Sequence, residues 1–264
     1  MIKINTKYAK NIIGEILLNN ILSDDIKKIL YPLHLFLKIF LSSKYKIRDN
    51  FITPNKTAYN ICLFLFWLLF SLYAALKSRS VWNRPSNFAY KEKSHFQLIS
   101  PYIYYCIYIS GILTVFILNL VHSHQNILLV LKIQTICDKI RLNKDILDKI
   151  KYGNWMSCIG LVASYVILYV LYYWTYKNYF STDFLLNIWS FAFDINLIYG
   201  IRLMAMLKEC LTKWHHTVLS KDFVAQENEE GDDILLEAYS NIMMAFNLFK
   251  QIFNVMVTAA YTFG

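Results

Sequence analysis

The chain has 264 residues, a hydrophobic fraction of 56 %, aromatics at 17 % and a formal net charge of +9. The apolar share exceeds the roughly 45–50 % of ordinary soluble domains, and the mean hydropathy is +0.35. Glycine and proline are scarce, which points to a helix-rich membrane composition. The basic residues flank apolar runs instead of forming one block, so the charge is read as membrane-flanking and nucleic acid is excluded as a partner.

The first twenty residues have neither a continuous apolar core nor a small-residue cleavage site, so they are not a signal peptide. "ILYPLHLFLKIFL" follows. It is too short to span and carries Pro32, His34 and Lys38, which suits an amphipathic helix at or below a membrane surface. Residues 1–56 are thus expected to form a cytoplasmic N-terminal segment.

Four later runs approach the roughly 20 residues that a crossing needs. They are Thr57 to Leu76, Leu98 to Val121, Trp155 to Tyr176, and Phe184 to Met206, the last interrupted by Asp194 and Arg202. With the N-terminus inside, 20 Lys and Arg lie inside and 6 outside, Arg202 left aside, so an inside N-terminus is the expected orientation. Asn55-Lys56-Thr57, a glycosylation sequon, then lies inside and carries no glycan.

The loop "ILLVLKIQTICDKIRLNKDILDKIKYG" has helical apolar spacing, with Ile133, Ile136 and Ile140 on one stripe. It is expected to continue span 2 as a helix and stop at Gly153. After span 4, "LKECLTKWHHTVLSKD" continues likewise into a cytoplasmic helical linker, 207–250. "QENEEGDD" is read as a solvated loop, and a last helix is expected from about Ile234. Residues 251–264 are apolar but cover only about half a crossing, so they are read as the start of a fifth span. The fold expected is all-α: a polytopic helical bundle, 57–206, with long cytoplasmic helical extensions.

No hydrolase, metalloprotease, phosphate-loop or dinucleotide motif is present, and no enzyme, cofactor or metal is expected. His122 and His124 suit polar caps at the edge of span 2, and His215 and His216 surface positions. The five cysteines are odd in number and widely spaced, which argues for small buried hydrophobes rather than disulfides. The informative residues lie within the spans. Asp194 is a carboxylate near a membrane midplane, where such groups face a bundle interior or a watered cavity. Asn187, Ser190 and Asp194 share a helix face, as do Tyr165, Tyr169, Tyr172 and Tyr176. With Tyr105 and Tyr108 of span 2, they suggest an aromatic, hydroxyl-lined pocket open to the outside. The candidate ligand residues are Tyr105, Tyr108, Tyr169, Tyr172, Asn187, Ser190 and Asp194.

Two stretches carry a family resemblance. "LYPLHLFLKIFLSSKYKIRDNFITPN", with Pro32, Lys44-Tyr45-Lys46-Ile47 and Pro54, resembles the segment before span 1 in moth and butterfly members of the insect gustatory receptors. "LLEAYSNIMMAFNLFKQIFNVMVTAAYTFG" resembles the stretch leading into their span 5. The resemblance runs from about Leu30 onward. It implies a seven-span, tastant-gated cation channel of the plasma membrane of chemosensory neurons, a homo- or hetero-tetramer bedded in the lipid bilayer, whose pore is lined by span 7. The family signature TYxxxxxQF of that span has no counterpart here, so the chain is expected to stop inside span 5. It also implies that helices Ile127 to Ile150 and Leu235 to Phe253 pack between subunits. An odorant-receptor relative and a four-span transporter or scaffold are the alternatives.

Overall fold

The structure, a computed structural model, describes residues 20–82, 110–111, 113–175, 182–222 and 229–263. It is all-α apart from one small hairpin. In chain order the elements are α1 (Asp24–Ile39), β1 (Lys46–Arg48), β2 (Phe51–Thr53), α2 (Thr57–Trp82), α3 (Leu113–Val121), α4 (Ser123–Ile140), α5 (Lys144–Thr175), α6 (Thr182–Asp222) and α7 (Glu229–Phe263).

The expected amphipathic helix is α1. Ser23 caps it by accepting from the Ile26 N–H, Asp24 and Asp25 sit in its first turn, and Lys38 in its last, as the helix dipole favours. Ile26, Ile29, Leu30, Leu33 and Leu37 face the core. Gln134 of α4 holds the entry to α1 at both sides: its Oε1 accepts from the Ser23 N–H and its Nε2 donates to the Ile21 carbonyl. The helix ends where Leu41 turns to φ 52°.

The antiparallel hairpin pairs Lys46 with Thr53 and Arg48 with Phe51 across Asp49 and Asn50, both at positive φ. Asp and Asn tolerate that region better than other non-glycine residues, which makes this a tight hairpin turn.

The inner helices differ from expectation in three places. α3 and α4 do not form one straight rod: they meet at 69° around His122. There the Asn126 amide and the Asn126 N–H both donate to the His122 carbonyl, while the His122 ring bonds Gln125, so side chains enter the helical ladder where it bends. α4 then stops at Arg141, in the left-handed region at φ 49°, not at Gly153. Gly153 lies inside α5, pressed against the Arg202 guanidinium: a Cβ there would sit 2.4 Å from Nη2. Finally, α7 begins at Glu229, so the second half of the acidic stretch is helical rather than loop.

One main core gathers α1, the hairpin, α4, the first half of α5, the middle of α6 and α7. α7 lies along α4 and α6, and α1 lies on α5. Lys132 Nζ donates to Asn241 at 2.9 Å, Trp214 Nε1 donates to the Leu235 carbonyl at 2.9 Å, and Lys139 pairs with Glu237. A smaller cluster joins Leu63 and Trp67 of α2 to Phe116 and Ala192.

The Lys144–Leu171 stretch is long and apolar enough to cross a membrane, and only 11 % of its most apolar window is buried. α3 and α4 qualify together as a bent pair, and Thr57–Tyr73 is apolar but shorter. Ile61, Leu65, Leu68, Leu69 and Leu72 on α2, and Ile159, Ile167, Leu168 and Leu171 on α5, are exposed.

Candidate functional site

Tyr165 and Asp194, from two helix faces that the sequence reading kept separate, meet in the structure. The Tyr165 hydroxyl of α5 donates to Asp194 Oδ2 of α6 at 2.5 Å, and the Tyr165 ring lies 4.8 Å from Phe191. Tyr169, one turn further along α5, is half-buried. The backbones of Tyr172, Asn187 and Ser190 lie in α5 and α6, but their side chains fall outside the description, as do Tyr105 and Tyr108 altogether.

The most developed polar arrangement was not singled out by sequence. It sits where the segment between α1 and α2 meets α3, α6 and α7. Lys44 is buried, and its Nζ donates to Asn119 Oδ1 at 2.6 Å. The same Nζ lies 5.4 Å from the Tyr199 ring centroid and 5.3 Å from that of Phe253. An amide oxygen and two ring faces are all partners for a cation. Burial nevertheless pulls the Lys44 amine down to about 7, because the lost hydration of the ammonium outweighs them.

Around Lys44 the polar groups interlock. The Tyr45 and Tyr199 hydroxyls meet at 3.2 Å, and burial pushes the Tyr45 phenol up to about 12. Asn119 Nδ2 donates to the Ser42 carbonyl at 3.4 Å. Asn196 Nδ2 donates to Ser42 Oγ and, at 2.7 Å, to the Ala192 carbonyl. Asn55 Nδ2 donates to the Ser43 carbonyl at 2.6 Å, which engages the sequon nitrogen inside the fold. His34 of α1 stacks on Tyr45 with centroids 5.5 Å apart. Burial and the nearby Lys38 charge hold its imidazole down to about 4. Gly200 makes room for Phe253, whose ring a Cβ there would meet at 2.9 Å.

Beside this cluster is a small open cleft with room for about one water, with Leu63, Trp67, Phe116 and Phe193 on its apolar walls and Ser42 and Asn119 on its polar one. Of the expected residues whose side chains are described, neither Tyr169 nor Asp194 lines it.

The signal for the Lys44 cluster was present but dispersed. Asn119 and Asn196 are amides within apolar runs, and Lys44 was read as a flanking charge and as part of the Lys44-Tyr45-Lys46-Ile47 resemblance, not as a site residue. The described cysteines are free. Cys137, Cys158 and Cys210 are buried as expected, whereas Cys62 is exposed on α2. No group of three metal-ligating side chains occurs among the described residues. His122 takes the N-cap position of α4 without a side-chain capping bond, its ring bonding Gln125 instead.

Compared with family models, curated proteins and solved structures, the chain matches none.

Proposed function

We propose that this chain is the N-terminal, ligand-sensing part of a polytopic chemosensory receptor of the insect gustatory type, a tastant-gated cation channel when its remaining spans are present. The supporting observation is the division of its helices. α2 and the second half of α5 leave most of their apolar side chains exposed among the described residues, as lipid-facing helices do. The first half of α5, α4, the middle of α6 and α7 instead share one buried core with α1, which lies on α5 and α6, while α7 lies along α4 and α6. Such a layer below a set of bare apolar helices is the architecture that the sequence resemblance implies.

In this reading the N-terminus is cytoplasmic and the receptor sits in the plasma membrane of a chemosensory neuron as a tetramer. A small tastant enters between the outer halves of the helices. Tyr165 and Asp194 tie α5 to α6 at the base of that space. Tyr105, Tyr108, Tyr169, Tyr172, Asn187 and Ser190 line it. A ligand there biases a closed–open equilibrium in proportion to its preference for one state. The chain acts as a receptor and not as an enzyme.

The test begins with the 3′ end of the transcript. A reading frame that continues past Gly264 into further apolar spans supplies the completed receptor, which is then expressed in oocytes and challenged with sugars and bitter alkaloids. Ligand-evoked cation current supports the proposal. Current evoked only by volatile odorants favours an odorant-receptor relative. Substrate uptake without conductance, or a genuine stop after Gly264 with neither activity, overturns it in favour of a transporter or scaffold.

A further inference from the structure

The segment from Leu41 to Pro54 leaves α1 through a strained residue and returns to α2 as a hairpin. Leu41 holds a left-handed φ of 52°, which costs a non-glycine residue of order 1 to 3 kcal/mol and is kept only where packing over-determines it. The segment is held at several points, among them buried Tyr45 stacked on His34 and Ser42 bonded by Asn119 and Asn196. The Leu22 N–H donates to the Asn50 carbonyl, the Ile52 N–H to the Asn20 carbonyl, Ile52 is buried, and Lys44 enters its cage. The cage reaches three helices at once: Asn119 on α3, Tyr199 on α6 and Phe253 on α7.

We propose that Lys44 is a proton-operated latch: charging its amine inside the Asn119–Tyr199–Phe253 cage releases the Leu41–Pro54 segment from α3, α6 and α7, and discharging it seats the segment.

The cage contains no carboxylate to hold the charge. Among the described residues, none of the ion pairs includes Lys44. The titratable groups facing the cage are few. Tyr45, from the segment itself, and Tyr199, from α6, share one hydrogen bond. From α1, His34 touches Tyr45 rather than Lys44. Asp194 of α6 is engaged by Tyr165. His122, one turn beyond Asn119, bonds Gln125, and Lys250, one turn before Phe253, is exposed. One amide oxygen and two ring faces replace only part of the water that an ammonium loses on entering the fully buried cage, and no opposite charge makes up the rest, so the seated state favours the neutral amine.

The linkage has a definite sign. The amine is ordinary in water when the segment is released and sits at about 7 when it is seated. The released state thus binds the proton more readily between those two values, and seating strengthens as pH rises through that window. Between pH 8 and pH 6 the seating equilibrium weakens about tenfold. His34, held down to about 4, stays neutral in the seated state over this interval.

The test uses the full chain in lipid nanodiscs. Amide hydrogen exchange of peptides covering residues 42–54 is measured at pH 6, 7 and 8 and corrected for intrinsic exchange. In a His34→Gln background, which removes the proton that the imidazole takes up once Tyr45 leaves it, the opening constant is expected to rise about tenfold from pH 8 to pH 6 with Lys44 present and to stay level with Lys44→Met, which keeps the stem and removes the charge. A flat profile with Lys44 present, or an equal slope with Lys44→Met and a lost slope with His122→Gln, overturns the latch. If Lys44→Met does not fold, pulse acetylation of the wild type decides. A Lys44 midpoint near 7 supports the proposal, and one near 10 overturns it.

Discussion

At the scale of single residues, His34 makes the clearest acid response outside the latch. It is seated against Tyr45 with Nδ1 buried and unpartnered, so the neutral ring is the form that fits. Its imidazole titrates at about 4 when folded against 6.5 when free. The unfolded chain binds the extra proton between those values. The stability due to the neutral ring is therefore complete above pH 6.5 and lost as pH falls towards 4, a change of up to ~3 kcal/mol. His34→Gln is expected to flatten the fall in thermal midpoint between pH 7 and pH 4.5, measured in detergent. The sequence displayed His34 only as a polar interruption of an apolar run. Its partner Tyr45 arrives from beyond the end of α1, which no local pattern reveals.

At the scale of elements, α5 and α6 are joined by Arg202, whose Nε donates to Asn154 at 2.7 Å and whose Nη2 donates to the Ile150 carbonyl at 3.3 Å. Asn154 in turn donates to the Ile29 carbonyl of α1 at 2.8 Å, so one side-chain chain ties three helices. Gly153 is what lets the guanidinium approach. Gly153→Ala gains up to ~1 kcal/mol of helix propensity. It pushes the guanidinium off its bonds, which is worth ~1.5–3 kcal/mol for a charged donor. A net loss of about 1 kcal/mol is expected in urea unfolding of the detergent-solubilised chain, and an unchanged midpoint would show that Arg202 re-bonds elsewhere. The same glycine explains why the inner-loop helix was expected to stop there: glycine usually marks a C-cap, and only the packing of Arg202 shows that this one serves close approach. The true stop, Arg141 in a left-handed turn, carries no glycine to announce it. The long α1, α6 and α7 were legible because their apolar spacing persists over several turns. The hairpin was not, since two three-residue strands are too short to establish a period of two, and Asp49-Asn50 alone signalled a turn.

At the scale of the whole molecule, the bare side chains of α2 and α5 make a prediction that burial alone would not. Cys62 is exposed on α2 among Ile61, Phe64 and Leu65. In water such a thiol reacts readily, but in lipid it is screened from charged reagents. In a variant keeping Cys62 as its single cysteine, a membrane-impermeant maleimide is expected to leave it unlabelled in nanodiscs and to label it after denaturation. Labelling at the full rate in intact nanodiscs would mean that α2 does not face lipid. Hydropathy marked four runs, but among the described residues only the Lys144–Leu171 stretch is clearly long and apolar enough to cross a membrane, and much of the Phe184 to Met206 run is buried core, since residue hydropathy does not tell a packed face from a lipid-facing one. The Lys44 cage was not, because its members come from positions 44, 119, 199 and 253 and only the tertiary fold assembles them.

The unbroken run of α6 has a mechanical consequence. Its 41 residues make a rod about 60 Å long, twice the thickness of a bilayer's hydrocarbon. Asp194 stands in its first third and Trp214 in its last, the one bonded to α5 and the other to α7. The 20 residues between them make an arm of about 30 Å, so a tilt of about 5° at Asp194 sweeps Trp214 through roughly 2.5 Å, with no hinge needed in between. Whatever shifts the Tyr165–Asp194 contact is geared, through one rigid arm, to the place where α7 is held.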